Sequence, residues 1–97
     1  MEIEKTLVDE KLTVKLTGRL DTSTAPSLEA ALGDYAGINE ILFDFSGLEY
    51  ISSAGLRVIL AAHKTMSKLK GLKLTGVCDD IMEVFEITGF ADILTIE

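Results

Sequence analysis

From Lys11 to Thr17 the chain alternates without a break, with Leu12, Val14 and Leu16 on one side and Lys11, Thr13, Lys15 and Thr17 on the other. A period of two with one polar side is the pattern of a half-buried strand. Upstream, Ile3 to Val8 reads as a weaker strand, and Asp9-Glu10 is short enough to close a hairpin between the two. Gly18 is expected to end this unit. Downstream, segments of helical spacing take turns with short apolar runs. Thr22, Ser23 and Thr24 offer helix caps, and Pro26 suits a first turn, where a missing N–H costs nothing. Leu28, Ala31, Leu32 and Tyr35 then follow at helical spacing, up to Gly33 or Gly37. Ile41 to Phe45 is nearly all apolar, which suits a central strand covered on both faces.

The longest helix is expected to start at Ser52 or Ser53 and reach about Lys70, with Gly71 as its C-cap. Leu56, Ile59, Leu60, His63 and Met66 share one arc of it, and Arg57, Lys64 and Lys68 share another. Leu72 to Val77 reads as a strand. Asp80 and Glu83 form a capping-box pattern ahead of Ile81, Val84 and Phe85, with Gly89 as the stop. Ile93 to Ile96 reads as a last short strand. The order β-β-α-β-α-β-α-β predicts an α/β fold, one domain over residues 1–97. Its sheet would be mixed, parallel from the second strand onward, with right-handed crossovers.

Ninety-seven residues can bury one core without staples. The single cysteine, Cys78, has no partner for an internal disulfide, and no charged-then-apolar leader opens the chain, so a cytoplasmic protein is expected. The uncharged apolar runs fall far short of the ~20 residues that cross a bilayer, so no membrane partner is expected. Nine Lys and Arg against sixteen Asp and Glu leave a net charge of −7. Non-specific nucleic-acid binding depends on cations that neutralise phosphates, so direct nucleic-acid contact is not expected.

The enzyme templates fail in turn. One histidine and one cysteine cannot assemble a zinc site of the usual type, and no cofactor or metal is expected. Neither G-x-G-x-x-G, G-x-x-x-x-G-K-[ST] nor G-x-S-x-G occurs. His63, on the apolar arc, reads as a core or half-buried structural histidine, and Cys78 as a small buried hydrophobe.

The most informative stretch is Asp44-Phe45-Ser46-Gly47-Leu48-Glu49-Tyr50-Ile51-Ser52-Ser53-Ala54-Gly55-Leu56. It reads as a buried strand, a short loop, and two serines where the long helix begins. One serine suffices as a cap, and Gly55 would permit close packing of the helix. The run of small residues from Ser52 to Gly55 would also leave the first N–H groups of the helix open to another molecule. Capping alone and a functional hydroxyl are equally open on these residues.

The string from Asp44 to Leu60, with Gly18-Arg19-Leu20-Asp21, resembles the STAS domain of bacterial anti-sigma-factor antagonists over essentially the whole chain. The resemblance implies a small non-enzymatic α/β domain that binds an anti-sigma factor, commonly also a serine kinase. It implies phosphorylation of one serine at the start of the long helix, reversed by a serine phosphatase. By position that serine is Ser53. Many members carry Asp where this chain has Ser52, which makes Ser52 a rival acceptor, and Ala54 stands where members can carry Ser or Thr. The implied partner surface takes in Asp21, Thr22, Ser52, Ser53, Ala54, Gly55 and Arg57. Two alternative roles fit the same fold. One is an interaction module of another signalling assembly, and the other a nucleotide- or anion-binding module using the same helix start.

Overall fold

The computed structural model describes residues 1–97. Strands β1 (Glu2–Val8) and β2 (Lys11–Leu20) form the opening antiparallel hairpin, Val8 opposite Lys11. Asp9 and Glu10 both take positive φ, 51° and 69°, as a two-residue turn of the primed type requires. Three helices then alternate with strands: α1 (Ala25–Leu32), β3 (Glu40–Ile51), α2 (Ser53–Met66), β4 (Gly71–Thr75), α3 (Asp79–Thr88) and β5 (Thr95–Ile96). A single 3-10 turn, Phe90–Asp92, links the last two. The sheet runs β1-β2-β3-β4-β5, parallel from β2 onward. The mixed topology expected from the element order is the one observed.

One expectation about this sheet fails. The run Ile41–Phe45 is not covered on both sides. Leu12, Val14 and Leu16 of β2, Ile41, Phe43 and Phe45 of β3, and Leu72 and Leu74 of β4 are buried. Between them Lys15, Ser46 and Lys73 are exposed, and Leu42 is half-buried between Thr13 and Lys73. Each parallel strand lies beside its predecessor, always in the same direction across the sheet. Crossovers of one hand then place every helix on the same face. The other face stays wet.

Several boundaries also move. β2 does not end at Gly18 but continues to Leu20, and Ser46–Tyr50 is strand, not loop. Two register shifts explain the misreading: one between Lys15 and Thr17, the other between Gly18 and Arg19. At each, β3 carries an extra residue, and a bulge breaks the period of two on which strand reading depends. Helix α2 stops at Met66, with Ser67 donating its N–H to the His63 carbonyl at 2.8 Å. Lys70 N–H is held by the Asn39 carbonyl at 2.8 Å, so the chain has already turned toward the sheet. Gly71, at φ +96°, opens β4 instead of capping α2. Helix α3 starts at Asp79, without a capping box, and Asp79 and Asp80 sit in its first turn, where the helix dipole favours negative charge. Tyr35 lies beyond α1, at φ 63°. The final strand is two residues long.

The helices bury Leu28 and Leu32 of α1, Leu56, Ile59 and Met66 of α2, and Ile81 and Phe85 of α3 against the covered face. Phe45 is central: its ring meets Phe43 edge-on at 5.9 Å and Phe85 at 6.5 Å between centroids. We expect Phe45→Ala to lower stability by about 3–5 kcal/mol, the usual cost of emptying a buried aromatic site. Urea denaturation with an unchanged slope would report it.

Candidate functional site

Strands β2 and β3 run side by side to their C-terminal ends, where Leu20 pairs with Ile51. The Ser52 N–H then donates to the Leu20 carbonyl at 2.9 Å. This single bond pins the exit of β3 to the exit of β2. The turn after Leu20 and the start of α2 therefore lie together at the carboxyl edge of the parallel strands.

The structure separates the two serines. Ser52 is the N-cap of α2, in extended backbone (φ −99°, ψ 174°). Its carbonyl accepts the Leu56 N–H at 2.9 Å, and its hydroxyl accepts the Gly55 N–H in a long bond of 3.4 Å. It is half-buried, whereas Ser53, the first residue of the helix, is exposed, with its hydroxyl outside every hydrogen bond of the chain. No acidic residue occupies the first turn of α2, so the positive end of the helix dipole is uncompensated beside that hydroxyl. Arg57, one turn on and exposed, adds a cation on the same side.

Of the two readings of Gly55, close packing and a place on the partner surface, the geometry supports close packing. The residue is buried, and a Cβ built there would fall 2.6 Å from Leu20 Cγ and 3.1 Å from Ile51 Cγ1. The missing side chain lets α2 sit tightly on the ends of β2 and β3. Its smallness serves internal packing and offers no contact to an outside molecule.

Asp21 is tightly engaged. Its Oδ1 accepts the Ser23 hydroxyl at 2.7 Å, the Ser23 N–H at 3.0 Å and the Thr24 N–H at 3.1 Å. Its carbonyl accepts the Ala25 N–H at 2.8 Å, opening α1. The three hydroxyls expected as caps do not cap. The Thr24 hydroxyl instead donates to the Arg19 carbonyl at 2.9 Å and accepts the Asp21 N–H at 2.8 Å. The Ser23 hydroxyl, aided by the Ser23 and Thr24 N–H groups, holds the Asp21 carboxyl below the usual carboxylate range. Oδ2 faces Arg19 Nε at 3.9 Å. Thr22, exposed, stands beside this knot at the mouth of a groove between α1 and α2 that Ala54 and Arg57 also line.

Two features escaped sequence reading. The Arg19 guanidinium lies 4.2 Å over the Tyr50 ring, a cross-strand pair at the edge of the site. The bulges hid that register. The groove itself depends on how two helices approach, which no spacing encodes. Two other residues lie elsewhere. His63 is half-buried, with Nδ1 buried and unpartnered, ten residues or roughly 15 Å along α2 from Ser53. Cys78 is exposed, contrary to expectation, because it lies just outside the end of β4 as the cap of α3, with Sγ 3.8 Å from the Leu48 carbonyl. No helix is long and apolar enough to cross a membrane.

The fold and this edge together define a small α/β domain that presents a serine hydroxyl at a helix start. The family described as Mlab, STAS domain matches residues 3–95. The anti-sigma-B factor antagonist of Staphylococcus aureus is 34% identical over 97 residues, covering 97% of this chain and 90% of its own. An anti-sigma factor antagonist from Mycobacterium paratuberculosis superposes with a TM-score of 0.85 at 23% identity, covering 98% of this chain and 83% of that one. The Bacillus cell fate determinant SpoIIAA, solved in its phosphorylated form, gives 0.77 at 17% identity, covering 99% and 91%. The chain belongs to the STAS-domain family of anti-sigma factor antagonists.

The depressed Asp21 carboxyl has a pH signature. Its ordering of the turn is fully present above the ordinary aspartate pKa of about 3.9 and is lost as pH falls through the lower folded value. Ser23→Ala should raise the Asp21 midpoint toward 3.9 in a carboxyl NMR titration. An unmoved midpoint would show that the backbone N–H groups alone hold it down.

Proposed function

We propose that this chain relieves a sigma factor of its inhibitor. The unmodified protein docks an anti-sigma factor on the edge formed by Asp21, Thr22, Ser52, Ser53, Ala54 and Arg57. A serine kinase, commonly the anti-sigma factor itself, phosphorylates Ser53 and ends the contact, and a phosphatase restores it. The protein performs no chemistry of its own and works in the cytoplasm. One observation carries the choice of residue: Ser53 is exposed with a free hydroxyl, while the Ser52 hydroxyl is half-buried and engaged with Gly55. The names of the relatives support the partner class, and SpoIIAA, of the same fold, exists in a phosphorylated form.

The physics of such a switch is blockade. A phosphoserine brings about −1.5 to −2 charges. At the start of α2 these meet free N–H groups and the positive dipole end, a gain of about 0.3–1 kcal/mol, so the fold is left intact. Arg57, four residues on, lies on the same side of the helix, where a guanidinium can pair with phosphoryl oxygens. Across an interface the sign reverses. Two like charges about 4 Å apart repel by about 4 kcal/mol at an effective dielectric near 20, and desolvation of the phosphate adds to that.

Ser53→Asp should therefore weaken binding to the purified anti-sigma factor of the same organism on the order of 10²–10³-fold, with the melting temperature nearly unchanged. Ser53→Ala should bind as wild type and take up no phosphate. Calorimetric titration and intact-mass measurement after incubation with the kinase and ATP report both. An Asp variant that binds as tightly as wild type would exclude charge at this position as the control.

A further inference from the structure

Beside Ser53, between α1 and α2, lies a groove of about 410 Å³, open along one side. Its apolar walls are short side chains: Ala25 and Pro26 on α1, Ala54, Val58 and Ala61 on α2. The large side chains of both helices, Leu28, Leu32, Leu56 and Ile59, are turned into the core, so the surface above the helix contact is left unfilled. The volume falls within the ~300–1,000 Å³ of ligand clefts, but a cleft open along its length suits a side chain carried on a protein surface better than an enclosed small molecule.

The rims are charged with opposite signs. Glu29 stands on the α1 side and Arg57 on the α2 side, both exposed. Neither is in an ion pair; the pairs within 4.0 Å are Lys11–Glu40 and Arg19–Asp21. The groove is thus lined by one acidic and one basic side chain, neither neutralised by a partner within the chain.

We infer that this groove seats one apolar side chain of the docking protein, flanked there by an acidic group that meets Arg57 and a basic group that meets Glu29. The inference rests on the docking function proposed above and names the chemistry its partner must present. Continuity with the switch supports it: the α2 wall begins at Ala54, next to Ser53, and the α1 end begins at Thr22, next to Asp21. A protein that covers the Ser53 hydroxyl lies over the mouth of the groove. Buried apolar anchors ringed by polar contacts are the usual seat of binding energy in such interfaces. The charge order along the groove sets which way round the partner lies.

The test uses the full chain and the purified anti-sigma factor, with Ser53→Asp as reference. Ala61 is exposed, so Ala61→Trp fills the groove without entering the core. It should weaken binding at least tenfold with an unchanged melting temperature, while Glu83→Trp, on the exposed face of α3, leaves affinity as it was. Arg57→Glu and Glu29→Lys should each weaken binding, and the double variant should remain weak, because each charge answers the partner. An Ala61→Trp protein that binds as wild type while Ser53→Asp does not would overturn the groove and leave the switch standing. Equal losses from Ala61→Trp and Glu83→Trp would also overturn it. A double charge variant restored to wild-type affinity would show Glu29 and Arg57 serving each other, and would do the same. No binding by the wild-type chain would remove the docking function itself, and the groove's occupant with it.

Discussion

The site depends on one hydrogen bond between two strand ends: Ser52 N–H to the Leu20 carbonyl, 2.9 Å. β2 spans ten residues and β3 twelve, yet they start in register at Lys11 and Glu40 and finish in register at Leu20 and Ile51. The two bulges absorb the difference. Without them the exit of β3 would overrun the exit of β2, and the Asp21 turn would not stand beside the start of α2. Gly55 completes the arrangement, since only a residue without a side chain lets α2 settle over Leu20 and Ile51.

The one-sided sheet follows from the same progression of strands. With all three helices on one face, the core is a single layer of side chains between helices and sheet, gathered around Phe43, Phe45 and Phe85. Ser53 stands exposed above this packing, and no core residue contacts its hydroxyl through a hydrogen bond. Ser52 and Ser53 thus divide the labour of one helix start, the first holding the backbone and the second facing outward.

Much of the fold was legible from residue types. Alternation in Lys11–Thr17, the Asp9-Glu10 turn, Pro26 in a first turn, and apolar residues at helical spacing named every strand and α-helix in the right order, though not the 3-10 turn. Boundaries failed where periodicity is interrupted or irrelevant. Bulges made Ser46–Tyr50 look like a loop. A tether from Lys70 to Asn39 cut α2 short of its apparent end, because a long-range hydrogen bond outweighed helix propensity. The continuous run Ile41–Phe45 suggested two covered faces, whereas Leu42 only shares the wet face with Thr13 and Lys73. Of the site, Asp21 and the serine pair were visible as a motif. The engagement of Asp21 with Ser23, the Arg19–Tyr50 pair and the groove were not, since each is a contact between segments distant in sequence or a consequence of backbone geometry.

Taken alone, the order of residues determined the class of fold, the parallel sheet after an opening hairpin, and the presence of hydroxyls at the head of the long helix. Those are local matters of period, turn chemistry and spacing. Which hydroxyl faces outward and which charges are left without an ion pair were decided only in three dimensions. Exposure is a property of how segments pack against one another, and two neighbouring serines of identical side-chain chemistry part here because one is held by the backbone around it and the other is not.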